Sequence, residues 1–327
     1  MKIKNRLLTF LLLLIVMLPS NVHAHSKYVI PGGETVGISV FSDGILITGF
    51  YNVNGSNMAE KAGFLLGDQI IKIDDVSVSS IEEMIRIINE KESKELIFTV
   101  KRNTELKDII LNMEKDSDGS FKTGLYVKDQ ITGIGTLTYI DPKTNTFGAL
   151  GHEIIEKNTT KKFNVRTGEI FEANVVGFEK SERGSAGQKR ALIDQNSVKG
   201  IVKNNEISGI FGEYTEDYSN RKKLPIADSS NIKIGDALIR TVIEDEKIEE
   251  FDIFIISIDH SSDVKNILFE IRDERLLDAS GGIVQGMSGS PIIQDEKIIG
   301  AVTHVIVDDS TKGYGIFIKT MLEEGER

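Results

Sequence analysis

Apolar residues recur with two different rhythms along this chain. In the first third the rhythm changes often. Val36-Gly37-Ile38-Ser39-Val40 alternates as a strand does, and Ile45-Leu46-Ile47-Thr48-Gly49-Phe50 reads as a second strand. A short helical turn over 58–62 stops at Gly63, and a strand follows over 69–73, closed by a turn at Asp74-Asp75. Ile81, Met84, Ile85 and Ile88 then recur at helical spacing, which predicts a helix over 80–91 capped by Ser79 or Ser80. Strands over 96–101 and 107–112 close a β-rich unit with two helices, spanning 25–115. The charged, Gly-containing stretch that follows reads as a linker at 116–120. Beyond it the pattern settles into short apolar runs between Gly, Asn and Asp, at 135–140, 147–150, 173–178, 207–211, 237–243, 251–258, 267–271 and 298–307. Short strands separated by turn residues predict an all-β sandwich or a pair of barrels, and 121–327 is the right size for a double β-barrel. The chain as a whole is therefore expected to be mostly β, in two domains.

The N-terminus carries a different signal. Lys2, Lys4 and Arg6 precede an apolar run over 7–18, and Val22-His23-Ala24 has the form of a cleavage site. Residues 1–24 read as a secretory signal peptide or a membrane anchor, which places the rest of the chain outside the cytoplasm. Charge and composition narrow the function classes further. Fifty acidic residues against 39 basic ones give a net charge of -11, and the longest basic cluster is Arg221-Lys222-Lys223, read as a solvated turn. Nucleic acid is thus not an expected partner, since phosphate neutralisation needs clustered Lys and Arg. The chain has no cysteine, which excludes a thiol nucleophile, a Cys-bound metal and any disulfide.

The sharpest chemical feature is Gly286-Met287-Ser288-Gly289-Ser290-Pro291, flanked by apolar strands. A serine between glycines can stand on a tight turn with its hydroxyl free, and the N–H groups of Gly286 and Ser288 can face a developing oxyanion. A nucleophilic serine needs a base. Past the leader the histidines are His25, His152, His260 and His304. His25 falls at the new N-terminus and His260 in a polar loop. His304, with Thr303, sits on the strand after the serine and is expected to form the wall of the substrate cleft. His152 ends an apolar strand against Gly151, as suits a general base facing a cleft. A histidine before the serine, with room for an aspartate between, matches the chain order of chymotrypsin-type barrels. A Pro and a β-run after the serine argue against the α/β-hydrolase elbow. His152-Glu153-Ile154-Ile155-Glu156 lacks the second histidine of a zinc-protease helix, so no metal is expected, and no organic cofactor is implied.

Two resemblances add to this reading. The run from Ala59 to Asp74, AEKAGFLLGDQIIKID, resembles a bacterial PDZ domain. It implies β-augmentation of peptide C-termini or internal segments, with Val36-Gly37-Ile38 as the carboxylate-receiving loop. The stretches Ile30-Pro31-Gly32-Gly33, Gly135-Thr136-Leu137-Thr138, Phe147 to His152, Gly282 to Pro291 and Gly300 to Val305 together resemble the stage IV sporulation protein B (SpoIVB) peptidases. That resemblance implies a chymotrypsin-like serine endopeptidase of endospore-forming bacteria, exported into the space between the forespore membranes. Its implied substrates are itself and a membrane-anchored regulator of an intramembrane protease, whose cleavage leads to late sigma-factor activation. It puts the nucleophile on Ser288, the base on His152 and the acidic member on Asp273, with Asp259 and Asp194 as rivals for that last role. Two other functions stay open on the residues: a PDZ-bearing quality-control protease, in which the PDZ domain follows the protease domain, and a non-catalytic peptide-binding protein.

Overall fold

The computed structural model describes residues 26–326, so the segment 1–24 read as a signal peptide or anchor lies outside the described residues. Strands β1 (Tyr28–Pro31) and β2 (Thr35–Phe50) lead into helix α1 (Met58–Ala62), strands β3 (Gln69–Ile73) and β4 (Val76–Ser77), and helix α2 (Ile81–Lys91). Strands β5 (Glu95–Arg102) and β6 (Glu105–Asn112) follow, then a small hairpin of β7 (Glu114–Lys115) and β8 (Phe121–Lys122). After these come β9 (Leu125–Ile140), β10 (Thr146–Ala149), the short pair β11 (Ile155–Glu156) and β12 (Lys161–Lys162), β13 (Val165–Glu179), β14 (Gln188–Glu206), β15 (Gly209–Tyr214) and β16 (Leu224–Pro225). The last part holds β17 (Gly235–Val242), β18 (Ile248–Ile258), β19 (Ile267–Ile271), α3 (Glu274–Ser280), β20 (Pro291–Gln294), β21 (Lys297–Val305), β22 (Lys312–Phe317) and α4 (Ile318–Gly325).

Alternating apolar residues give the longer strands one face to bury, and closing a sheet on itself buries that face without leaving an edge. The chain does this twice. The first barrel runs β2-β13-β14-β15-β10-β9 and closes through pairing of β9 with β2. The second is the closed barrel β17-β18-β19-β22-β21-β20. Ile38, Leu137, Phe147, Ile170 and Ile210 fill the first, and Ile239, Phe251, Ile253, Phe269 and Ile292 fill the second. Helix α4 packs Met321 and Leu322 against Tyr139 and Phe211 of the first barrel and Ile316 of the second. The fold is thus the expected mostly-β one, a PDZ-type module joined to a chymotrypsin-like pair of barrels.

The way the two units join differs from a linear series. The two strands expected at 36–40 and 45–50 are one continuous strand, β2, bent where its pairing with β9 shifts register between Phe41 and Leu46. Its first half belongs to the barrel. Its second half pairs Ile45 with Ile70 of β3 and carries Ile45 and Ile47 into a separate core with Phe64, Ile73, Phe98 and Leu111. Strand β9 returns the chain by the same route, with Leu125 in that core and Ile140 in the barrel. The PDZ-type module is therefore an excursion of the chain between two barrel strands. Residues 116–120, read as a linker, are the turn of the β7–β8 hairpin, and the module continues past them to Leu125.

The expected loop Val36-Gly37-Ile38 is corrected by the same pairing. These residues face Gly135, Ile134 and Gly133 of β9 on one side and Glu172, Phe171 and Ile170 of β13 on the other. With both edges occupied, the segment has no free N–H row to receive a peptide terminus. Gly37 serves packing: a Cβ there would lie 2.5 Å from Cγ2 of Ile193. Elsewhere the local readings hold. Ser80 caps α2 by accepting from the Glu83 N–H, and Gly63 closes α1 in the left-handed conformation at φ 100°. Among the described residues no helix is long and apolar enough to cross a membrane.

Candidate active site

A cleft of about 470 Å³ lies between the barrels, and it holds both His152 and Ser288. Each side chain is delivered by a tight turn. Strand β10 ends at Ala149, and Leu150 and Gly151 both take left-handed backbone at φ 71° and 70°. This reversal turns His152 out of the first barrel toward the second. Leu150 is buried beneath it, and its N–H donates to the Thr136 carbonyl at 3.3 Å.

The Ser288 turn is held more tightly. Gly286 and Gly289 adopt φ 95° and 94°, conformations that side chains rarely take. Met287 between them is fully buried in the core of the second barrel. Strand β9 of the first barrel supplies three bonds to this turn. Thr136 donates its N–H to the Ser288 carbonyl at 2.9 Å and its hydroxyl to the Gly286 carbonyl at 2.7 Å, and the Thr138 hydroxyl donates to the Gly289 carbonyl at 2.7 Å. Gly289 donates to Val302 at 2.7 Å. The N–H groups of Gly286 and Ser288 donate to no acceptor among the described residues.

Within the cleft, Ser288 Oγ donates to the Thr303 carbonyl at 3.1 Å, and no hydrogen bond joins it to His152 among the described residues. His152 Nδ1 lies 2.9 Å from the Glu153 carbonyl. With Nδ1–H donating there, Nε2 keeps its lone pair, the tautomer a general base needs. Burial pushes the His152 pKa below the usual imidazole value, partly opposed by the Glu153 carbonyl and the Glu153 charge. His304 lies beside it, ring centroids 5.7 Å apart and the planes tilted by 46°, with its Nδ1 buried and unpartnered. Burial, reinforced by His152, holds His304 down to about 4. Both imidazoles are therefore neutral at pH 7. Thr303 and His304 line the cleft.

Asp273 lies elsewhere. It caps α3 by accepting from the Arg275 N–H at 2.9 Å, and the Arg275 guanidinium grips its two oxygens at 3.1 and 2.8 Å. That grip, above all, holds its carboxyl below the usual range. It does not line the cleft and makes no bond to His152. Asp259 is bonded to Ser261 and Asp194 to Asn196, and neither borders the cleft. The contact that orients the His152 ring is a main-chain carbonyl. Of the residues that line the cleft, the carboxylate is Glu153, whose adjacency to His152 was its one sequence signal. The roles of Thr136 and Thr138 also escaped the sequence reading. Their stretch counted toward the family resemblance, but their bonding to the Ser288 turn had no signal beyond two threonines at strand spacing. Among the described residues no cluster of His, Asp and Glu could hold a metal.

The family model for SpoIVB peptidase S55 matches residues 119–322, well over half of the chain. The chain belongs to that family. A PDZ-domain model matches residues 34–113 in addition. This SpoIVB-type protein is accordingly a serine peptidase bearing a PDZ domain, acting on protein or peptide substrates. No curated protein matches it. Solved structures similar to it include Rv3671c from M. tuberculosis H37Rv as an inactive serine-to-alanine mutant, at 14% identity and TM-score 0.30, covering 59% of this chain and 82% of the other. The Rv3671c protease in an inactive form is similar at 15% identity and TM-score 0.30, covering 59% and 85%. Likeness at that score adds nothing to what the strand pairings show.

Proposed function

We propose that this peptidase cleaves peptide bonds by acyl transfer to Ser288 with His152 as general base. The observation that carries this reading is the cleft itself, where one barrel contributes a neutral imidazole with Nε2 free and the other a serine on a glycine-flanked turn. On substrate binding Ser288 Oγ leaves the Thr303 carbonyl and gives its proton to Nε2 while bonding to the scissile carbonyl carbon. The oxyanion is met by the N–H groups of Gly286 and Ser288, each such donor being worth roughly 3–4 kcal/mol. The imidazolium protonates the departing amine, and water then hydrolyses the acyl-enzyme. The Glu153 carbonyl holds the imidazole in the working tautomer throughout. Ile283, Val284 and Val305 beside the serine, with Ile131 and Ile134 opposite, favour substrates with aliphatic side chains around the cleaved bond.

The biological setting we propose is sporulation signalling. The protein is exported to the space between the forespore membranes and cleaves itself and a membrane-anchored regulator of an intramembrane protease. Support comes from the family, from the signal-type N-terminal segment and from a PDZ module suited to engaging a protein partner. The test is labelling of the full chain by a fluorophosphonate probe, together with self-cleavage. The wild-type chain is expected to label and shorten itself, and Ser288→Ala to do neither. A Ser288→Ala chain that still labels overturns the assignment.

A further inference from the structure

Lys189 is a buried amine that the chemistry above does not use. It stands on β14 near the end of the β13–β14 hairpin, which leaves the first barrel and reaches across the second. There the hairpin binds the segment ahead of Ser288. Ser181 Oγ donates to the Ile283 carbonyl at 2.8 Å, Gln285 N–H to Gly187 at 2.8 Å, and Lys189 N–H to the Gln285 carbonyl at 2.8 Å. The Lys189 side chain, 2% exposed, then runs directly beneath Gly286. A Cβ on Gly286 would lie 3.1 Å from Lys189 Cβ and 3.3 Å from its Cγ and Cδ. The amine ends between the barrels, donating to Thr35 Oγ1 on β2 at 3.0 Å and to Thr241 Oγ1 on β17 at 2.7 Å. No carboxylate pairs with it among the described residues. Removing a lysine from water without a counter-charge is costly, so such a placement calls for a reason.

We infer that Lys189 is a positioning residue for the oxyanion turn, a post footed on both barrels whose stem sets where the Gly286 N–H points. The inference rests on the reading of Gly286 as an oxyanion donor. Burial holds the Lys189 amine down to about 7, yet a neutral amine still has two N–H groups, enough for both threonines. The post therefore stands in either protonation state. Its action is geometric, and it is felt in the transition state rather than in substrate binding, where the oxyanion has not formed.

The experiment compares full-length wild type with Lys189→Met, which keeps the stem and removes the donors, and with Thr241→Val, which removes one footing at equal volume. Fluorophosphonate labelling rates, kcat and KM for an aliphatic peptide, and the affinity of a matching peptidyl boronic acid are measured from pH 6 to 9. A misplaced oxyanion donor is expected to slow labelling in Lys189→Met by about 100-fold. kcat and boronate affinity fall in parallel and KM stays within about twofold, as for any interaction made only in the transition state. The deficit is the same at both ends of the pH range, and Thr241→Val shows a smaller loss of the same kind. Tm at pH 7 stays within about 3 °C of wild type in Lys189→Met, because relief of the buried amine offsets the two bonds lost at Thr35 and Thr241. Labelling of both variants at the wild-type rate overturns the inference and leaves the Ser288 reading intact. So does a loss that strikes kcat, KM and Tm together. Failure of the wild type to label overturns the site reading and, with it, this inference.

Discussion

The two turns that meet in the cleft are built alike and held differently. Each reverses the chain through left-handed residues, Leu150-Gly151 in one barrel and Gly286 and Gly289 in the other. The serine turn is fastened by three bonds from β9, by Met287 in the core and by the hairpin beneath it. The histidine side chain rests on one main-chain carbonyl, 2.9 Å away. Thr136 joins the two, accepting from Leu150 while donating to Ser288 and Gly286. The difference teaches where this peptidase is preorganised. The Ser288 turn is fixed by the fold, whereas the His152 ring is held through a local contact; under the proposed mechanism it reaches the serine only when Ser288 leaves Thr303.

The comparison can be broken most directly at the glycines. A Cβ on Gly289 would lie 2.1 Å from the Thr136 carbonyl oxygen and 2.5 Å from the Leu150 nitrogen, so it strikes both turns at their junction. Gly289→Ala is expected to slow fluorophosphonate labelling by at least about 100-fold, the scale of an ångström's misplacement. A Cβ on Gly151 meets Val302 and Thr303 at 3.0 Å and can be relieved more easily, so Gly151→Ala is expected to cost about tenfold. Equal losses would show that the two turns are equally rigid.

The pH profile sharpens the comparison next. Under the proposed mechanism His152 acts when neutral, and burial lowers its pKa. The labelling rate is therefore complete above the depressed value and lost as pH falls through it, so the acid limb should have its midpoint below 6.5. Glu153→Gln removes a charge that raises this pKa and should move the limb lower still. A midpoint above 6.5 would mean that a carboxylate reaches the imidazole after all.

The smallest effect is expected at Asp273. An aspartate that orients the base loses about 10⁴ in kcat when changed to Asn. Asp273 caps a helix and grips Arg275, so Asp273→Asn is expected to keep kcat within about threefold and to lower Tm by about 2 °C. A loss on the larger scale would restore it to the triad.

Much of the architecture was legible because alternation and turn residues are local signals. Strands at 69–73 and 267–271 lie where the pattern predicts them, and the helix capped by Ser80 follows from apolar spacing. The Ser288 turn was legible because glycines mark backbone that few other residues adopt, and His152 because a glycine ends its strand. The same alternation that marks Val36 to Val40 as a strand says nothing of its neighbours, which proved to be β9 and β13 on both edges. Asp273 was placed through a resemblance, and its partner Arg275 is a contact that only coordinates reveal.

Taken alone, the amino-acid sequence determined the mostly-β class, the PDZ-type run, the order of histidine before serine and the two turns that present them. These depend on dihedral preferences and on which face of a strand is apolar, both properties of a few neighbouring residues. Only the tertiary structure decided that the PDZ-type module leaves and rejoins the first barrel through shared strands, that a carbonyl rather than Asp273 orients His152, and that Lys189 stands beneath Gly286. The first and the last join residues far apart in the chain, and the second, though between neighbours, depends on which way the His152 ring turns; a local pattern shows that a side chain is buried without showing what buries it.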